Sequence, residues 1–135
     1  GWIDAIRKAY DGLSFGQRFT PRRPRSSWSQ VNRERVLALI KAGAMMPAGL
    51  AAVEVAKANG EWDRAYSPGS TITEPKDLLA ELRKNPRAKA FYRELNAQNR
   101  FAILHRLEKS AKPETRAKRL AKFVEMLERG ERIYP

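Results

Sequence analysis

The sequence contains no cysteine and only one histidine, His105. Without cysteine the chain has no disulfides, no thiolate metal site and no cysteine nucleophile. One histidine cannot build a histidine-based metal centre, so we expect neither a metal ion nor a cofactor. No apolar run approaches the roughly 18 residues of a membrane-spanning helix. We therefore expect no membrane span.

Recognisable catalytic patterns are also missing. The glycines are not grouped into a loop that could cradle phosphates. The carboxylates are scattered, and no serine or lysine stands in a nucleophile motif. We therefore expect a protein that is not an enzyme.

Positive charge is what the chain has in excess, with 27 lysines and arginines against 15 acidic residues and a net charge of +12. Such a charge indicates an anionic partner and says nothing about the fold. The 135 residues fit a single domain, 1–135. Because the chain starts at Gly1 without methionine, we expect a native portion to precede it. The expected location is the cytoplasm, or the periplasm if that portion carries a signal.

The first twenty residues have the pattern of a β-hairpin. Apolar residues alternate with polar ones from Leu13 to Phe19, which is typical of a half-buried strand. Residues 2–10 are apolar enough to pair with it, and Asp11-Gly12 is a hairpin turn signal. Two strands alone are marginal in water, so we expect helices or further strands to cover them.

An arginine-rich stretch at residues 18–35 follows, with six arginines against one acid, Glu34, and is the best candidate for anion binding. We call its residues 18–28, which carry the two prolines, the arginine strip. Proline fixes φ, so Pro21 and Pro24 should keep the strip semi-rigid and extended. Guanidinium groups suit carboxylate and phosphate recognition. The predicted anion-binding residues of the strip are Arg18, Arg22, Arg23, Arg25 and Trp28. The alternative is a solvated loop whose arginines pair with Asp4, Asp11 or Glu34.

Helices dominate the rest of the chain. Ser29, Asn85-Pro86, Asn96 and the prolines at 47, 75 and 113 are helix-start signals, and Gly43, Gly60 and Gly130 are stop signals. The predicted fold class is α+β, with an N-terminal hairpin followed by about five or six helices and a predominantly helical content. We expect a hairpin at 1–20, a Pro/Arg segment at 21–28, two helices and a loop at 29–74, and a helical subdomain at 75–135. Trp62 and Tyr66 should pin the long loop.

The last predicted helix carries a second basic patch. We include Arg116, Lys118, Arg119 and Lys122 among the candidate anion-binding residues. A solvated polar face is the alternative for Lys118, Arg119 and Lys122. Arg116 borders the apolar stripe formed by Ala117, Leu120, Val124 and Leu127, which favours a partly buried arginine paired with a carboxylate or a helix end. His105 is expected to be packed and neutral.

Several motifs resemble the YdeI/OmpD-associated family of bacterial proteins (bacteriocin-protection, OmdA-type domain). They are Gly1-Trp2-Ile3-Asp4, the Arg18–Arg23 segment, Ser27-Trp28-Ser29, Asn85-Pro86 and the Ser110–Arg116 block. Ala5 departs from the glycine that the family often has. The resemblance implies a stress-tolerance protein associated with an outer-membrane porin, acting against antimicrobial peptides or bacteriocins, with no established catalytic residues.

Three hypotheses follow. The first is a non-enzymatic binding protein that docks through its basic surface on a porin or another acidic protein surface, or on anionic lipid. The second is a nucleic-acid-binding module, in which helices at about 97–111 and 113–129 imitate a helix-turn-helix; such binding should be weak and sequence-independent. The third is a small-anion site between hairpin and helices, lined by Trp2, Phe19 and Trp28.

Overall fold

The computed structural model describes all residues from Gly1 to Pro135 and divides them into two compact units, Gly1–Ala65 and Tyr66–Pro135. The first unit contains β1 (Trp2–Ala9), β2 (Phe15–Pro21), α1 (Gln30–Lys41) and α2 (Pro47–Ala58). The second contains α3 (Lys76–Lys84), α4 (Pro86–Glu94), α5 (Ala97–Glu108) and α6 (Pro113–Glu128). The α+β class, with one hairpin followed by six helices, is thus confirmed. The boundary between the units lies within the predicted loop, and the single domain stays a prediction.

No helix is both long and apolar enough to cross a membrane.

The hairpin forms where the alternating pattern predicted it. The strands pair antiparallel from Trp2 opposite Pro21 to Ala9 opposite Phe15, with a bulge between Asp4 and Arg7. The side chain of Gln17 donates to the carbonyl of Ala5 at 2.8 Å, which satisfies an acceptor in the bulged stretch.

The turn of the hairpin is longer than the two residues that Asp11-Gly12 suggested. Residues 10–14 connect the strands, closed by a 3.1 Å bond from the amide of Tyr10 to the carbonyl of Ser14. The Asp11 carboxylate accepts from the amides of Leu13 and Ser14 at 2.8 and 2.6 Å. Hydrogen bonds from Ser14 first, and then from Leu13, lower the pKa of Asp11.

The expectation that the strand is half-buried is wrong. Phe15 and Phe19 are 51% and 59% exposed, and Leu13 at the turn is fully exposed. No helix of the first unit covers either face of the hairpin closely enough to bury these rings. An alternating pattern identifies a strand with two different faces, but burial depends on what packs against it.

The two helices of the first unit are bounded by the expected signals. Ser29 accepts from the amide of Asn32 at 3.1 Å and starts α1, while Gly43 ends it with φ +68°. Pro47 opens α2 and Gly60, at φ +79°, follows its C-cap. The core of this unit is small: Trp28, Val53, Ala56, Trp62 and Ala65.

The second unit has the larger core, contributed by all four of its helices. Its fully buried side chains include Leu78, Ile103, Leu107 and Leu127. Asn85 and Asn96 cap α4 and α5 through their side chains, accepting from amides at 3.0 and 2.9 Å. Gly130, at φ +71°, follows α6 as predicted.

The predicted apolar stripe of α6 differs from the structure at one residue, and α5 buries a polar side chain. On α6, Ala117 is exposed, and the buried face instead includes Phe123. On α5, Asn99 is buried, with only 1% exposure, because its amide group binds the backbone of Tyr134. Its Oδ1 accepts from the Tyr134 amide at 2.9 Å, and its Nδ2 donates to the Tyr134 carbonyl at 3.2 Å.

Candidate anion-binding surface

Arg22 is the most tightly held arginine of the strip. Its guanidinium lies 3.9 Å from the ring centroid of Trp28, and Nη1 donates to the carbonyl of Ser27 at 3.0 Å. Trp28 is 4% exposed and packs edge-on against Trp62 at 5.0 Å, with the planes at 62°. Trp28 therefore anchors the core, and the face of its ring forms a cation–π contact with Arg22.

A tight turn presents the next arginines. The amide of Ser26 donates to the carbonyl of Arg23 at 2.9 Å, and the Ser26 hydroxyl accepts from the amide of Arg23, also at 2.9 Å. Asn59 ties this turn to the end of α2 through a 2.7 Å bond from Nδ2 to the carbonyl of Pro24. Both hydrogen bonding and proline thus restrict the backbone that carries Arg23 and Arg25.

The arginines at 18, 23 and 25 are exposed. The sequence left open that they pair with Asp4, Asp11 or Glu34. None of the chain's ion pairs joins these arginines to those acids. Their charges therefore face solvent, and an anionic group could reach them without displacing an internal carboxylate.

Arg33 and Arg35 lie on α1, just after the strip; both belong to the arginine-rich stretch 18–35 but were not among the predicted anion-binding residues. Arg33 donates to the carbonyl of Trp62 at 2.9 Å, which makes it part of the core support. Arg35 is exposed and lines a cavity of about 190 Å³ together with Asn32, Arg22 and Asp4. The signal that could have found it is spacing, because Asn32 and Arg35 are three residues apart on one helical face.

Phe19 does not line that cavity. The third hypothesis grouped Phe19 with Trp2 and Trp28, but only the two tryptophans line the cavity with Arg22. Phe19 stands opposite Asp4 in the hairpin register and is exposed. The alternating pattern predicts on which face of the hairpin Phe19 lies, but it does not predict how far that face is from α1 and α2.

In the second unit, Arg116 has the structural role that its border position indicated. Its Nε and Nη2 bind both carboxylate oxygens of Asp77, at 2.6 and 3.0 Å, and its Nη1 donates to the carbonyl of Leu107 at 2.7 Å. The fork therefore joins the start of α3 to the end of α5. The hydrogen bond from Arg116 lowers the pKa of Asp77. Arg116 is engaged by protein groups at all three nitrogens.

The other basic residues of α6 differ among themselves. Arg119 donates from Nη1 to the carbonyl of Arg106 and to the hydroxyl of Ser110, each at 3.0 Å, so it caps the end of α5. Lys118 and Lys122 are exposed. Both acceptors of Arg119 are neutral, so Arg119 keeps its positive charge on this face while its Nη1 is engaged at the end of α5.

His105 is packed between two rings, as expected. Its ring centroid lies 4.4 Å from that of Tyr66, edge-on, and 5.4 Å from that of Phe101, stacked. Burial, and next the charge of Lys109, lower its pKa below the usual value, so the ring is neutral at pH 7. No group of three or more potential metal-ligating side chains lies together in the chain.

This α+β protein with a basic, arginine-bearing first unit also resembles known families. Residues 71–130 match the family described as "Bacteriocin-protection, YdeI or OmpD-Associated". The predicted family resemblance is thus confirmed, over a range that lies within the second unit. Residues 1–52 match a different family, described as a domain of unknown function (DUF8412). No curated protein and no solved structure matches the chain.

Proposed function

We propose that the protein is a non-enzymatic binding protein that docks on an acidic protein surface through the arginine strip. The observation that carries this proposal is the exposed trio Arg18, Arg23 and Arg25, held on a hydrogen-bonded backbone without internal ion pairs. Restricting the backbone before binding reduces the entropy lost on association. Bidentate guanidinium groups would then meet carboxylates of the partner.

The biological role we propose is tolerance of bacteriocins or cationic antimicrobial peptides, as the family description suggests. A chain of net charge +12 would repel cationic peptides and cannot sequester them by charge. It would instead cover the acidic surface that such a peptide uses, for example the mouth of an outer-membrane porin. Competition for a shared acidic surface requires no catalytic step.

The test compares two triple variants of equal net charge. One replaces Arg18, Arg23 and Arg25 with alanine. The control replaces three exposed arginines of the second unit with alanine, namely Arg87, Arg93 and Arg132. Binding is measured to poly-glutamate, to a short random-sequence DNA duplex and to anionic vesicles, between about 50 and 200 mM salt, the range over which phosphate-contacting proteins lose most affinity.

The expected result is salt-sensitive binding to poly-glutamate that the strip variant loses and the control variant keeps. Equal loss in both variants would mean that only total charge matters and would contradict a specific surface. If the protein binds the duplex more tightly than poly-glutamate and the strip variant loses that binding, the partner is a nucleic acid and not an acidic protein. Vesicle binding with the same pattern would assign the strip to anionic lipid.

A further inference from the structure

Two adjacent cavities of the first unit form one groove. The first, of about 190 Å³, and the second, of about 350 Å³, share the lining residues Gly1, Trp2, Arg22, Trp28 and Ala52. The shared residues place the two cavities side by side on the same face of the first unit. The larger volume lies in the range of ordinary small-molecule sites.

The first cavity is the polar end of the groove. Besides Arg22 it is lined by Arg35, Asn32 and one acid, Asp4. Arg23 lines the neighbouring cavity, so three arginines face one carboxylate along the groove. The amide of Asn32 adds a neutral donor beside Arg35. This charge balance selects an anionic group.

The second cavity is the more apolar end, although Arg22 and Arg23 also line it. Helix α2 presents Ala48, Ala52 and Val55 to it at a spacing that places all three on one helical face. The other apolar residues of this wall are Trp2, Trp28, Ala51 and the two prolines of the strip, Pro21 and Pro24. Small alanines leave the space open, and the Trp2 side chain is 66% exposed to solvent. Covering apolar surface of this kind with the apolar part of a ligand removes it from water, which makes the free energy of binding more favourable.

We infer that this groove binds an anionic amphiphile, with a carboxylate or phosphate head beside Arg22 and Arg35 and a single aliphatic chain along α2. An inorganic anion would leave the apolar end uncovered. A nucleotide would find few side-chain hydrogen-bonding groups along α2 for its base, since alanine and valine line that wall. Of the exposed trio Arg18, Arg23 and Arg25, only Arg23 lines this groove. The inference does not depend on docking to an acidic protein.

Binding is tested by calorimetry and by tryptophan fluorescence, since Trp2 and Trp28 line the groove. The probes are dodecanoate and dodecyl phosphate, each below its micelle concentration. Acetate and inorganic phosphate represent the heads alone, and dodecanol and dodecyltrimethylammonium represent a chain without negative charge. Both anionic amphiphiles should bind, and the relative affinity of the carboxylate and phosphate heads identifies the ligand source. Heads alone and uncharged or cationic chains should bind at least about tenfold more weakly, a difference of 1.4 kcal/mol.

Two variants address the two ends of the groove separately. Arg35→Ala should weaken dodecanoate binding about tenfold, and Asp4→Asn should tighten it, because the one opposing charge is removed. Ala51→Phe places a ring in the apolar cavity, which Ala51 lines, and should also weaken binding. Ala38→Phe is the matched control, since Ala38 is an exposed α1 residue outside both cavities.

Several results would overturn the inference. Equal binding of dodecyltrimethylammonium and dodecanoate would show adsorption to exposed apolar surface rather than a charged site. Equal effects of Ala38→Phe and Ala51→Phe would show that the groove is not the location. Binding of acetate as tight as that of dodecanoate would show that the aliphatic chain, and therefore the apolar end of the groove, adds nothing to affinity. Failure of the wild-type protein to bind poly-glutamate would contradict the proposed function and would leave each of these groove measurements unchanged, so the two proposals can fail separately.

Discussion

The fork between Arg116 and Asp77 should be the main polar tie of the second unit. Two charged hydrogen bonds reach Asp77 and a third reaches the carbonyl of Leu107. Hydrogen bonds to charged groups contribute about 1.5–3 kcal/mol when buried. The side chains of Arg116 and Asp77 are 28% and 38% exposed, so solvent screening reduces that value. We expect Arg116→Met to cost about 1–2 kcal/mol in the free energy of unfolding.

A double-mutant cycle separates the pair from its surroundings. Asp77→Asn keeps a side-chain oxygen for the amide of Leu78, which Asp77 accepts at 2.9 Å, but removes the charge. The coupling energy between Arg116→Met and Asp77→Asn should be about 1 kcal/mol, measured by urea denaturation with far-ultraviolet circular dichroism. Lys118→Met, an exposed change on the same helix, serves as the control and should shift stability by less than about 0.5 kcal/mol.

The pair also predicts a pH dependence with a definite sign. Because the hydrogen bond from Arg116 lowers the pKa of Asp77 in the folded state, the unfolded chain binds the proton more readily. The contribution is fully present above the unfolded value of about 3.9 and is lost as the pH falls through the lower folded pKa. Arg116→Met should therefore reduce the acid dependence of stability. A coupling energy within about 0.3 kcal/mol of zero, with unchanged acid dependence, would refute this account.

Two further predictions concern backbone and buried polar groups. Gly43→Ala should lower the free energy of unfolding by about 1 kcal/mol, because Gly43 has φ +68°. No atom lies within 4 Å of the added methyl group, so the loss comes from the backbone conformation alone. Gly12→Ala is the control: Gly12 is equally open and has no positive φ, so its stability in the same thermal denaturation should not change. Asn99→Ala should lower the free energy of unfolding by about 1–3 kcal/mol and increase hydrogen exchange at the amide of Tyr134, which loses its acceptor. Gln98→Ala, an exposed change on the same helix, should alter neither the stability nor the exchange.

Helix ends were predictable from the sequence because their causes are local. The caps at Ser29, Asn85 and Asn96 each use a side chain that reaches an amide three residues ahead. The stops at Gly43 and Gly130 need only a positive φ that glycine adopts easily. No distant residue is needed to determine where these helices begin or end.

Burial of faces was less predictable because it depends on distant residues. The alternation in β2 identified the strand, yet Phe15 and Phe19 remain exposed. Arg116 was placed correctly because its position beside the α6 stripe is a property of one helix. The spacing of Asn32 and Arg35 places them on one face of α1, but Arg35 lines the groove only because α1, α2 and β1 meet there, and that meeting is not a local property of the sequence.

The two units differ in how much apolar surface they bury. The second unit has an eleven-residue buried cluster built from four helices, whereas the first has a cluster of five. All the large exposed apolar side chains except Tyr134 lie in the first unit. That unit also carries the exposed arginines of the strip and the groove. Large exposed apolar patches mark interaction sites, so we expect the binding proposed above to involve the first unit.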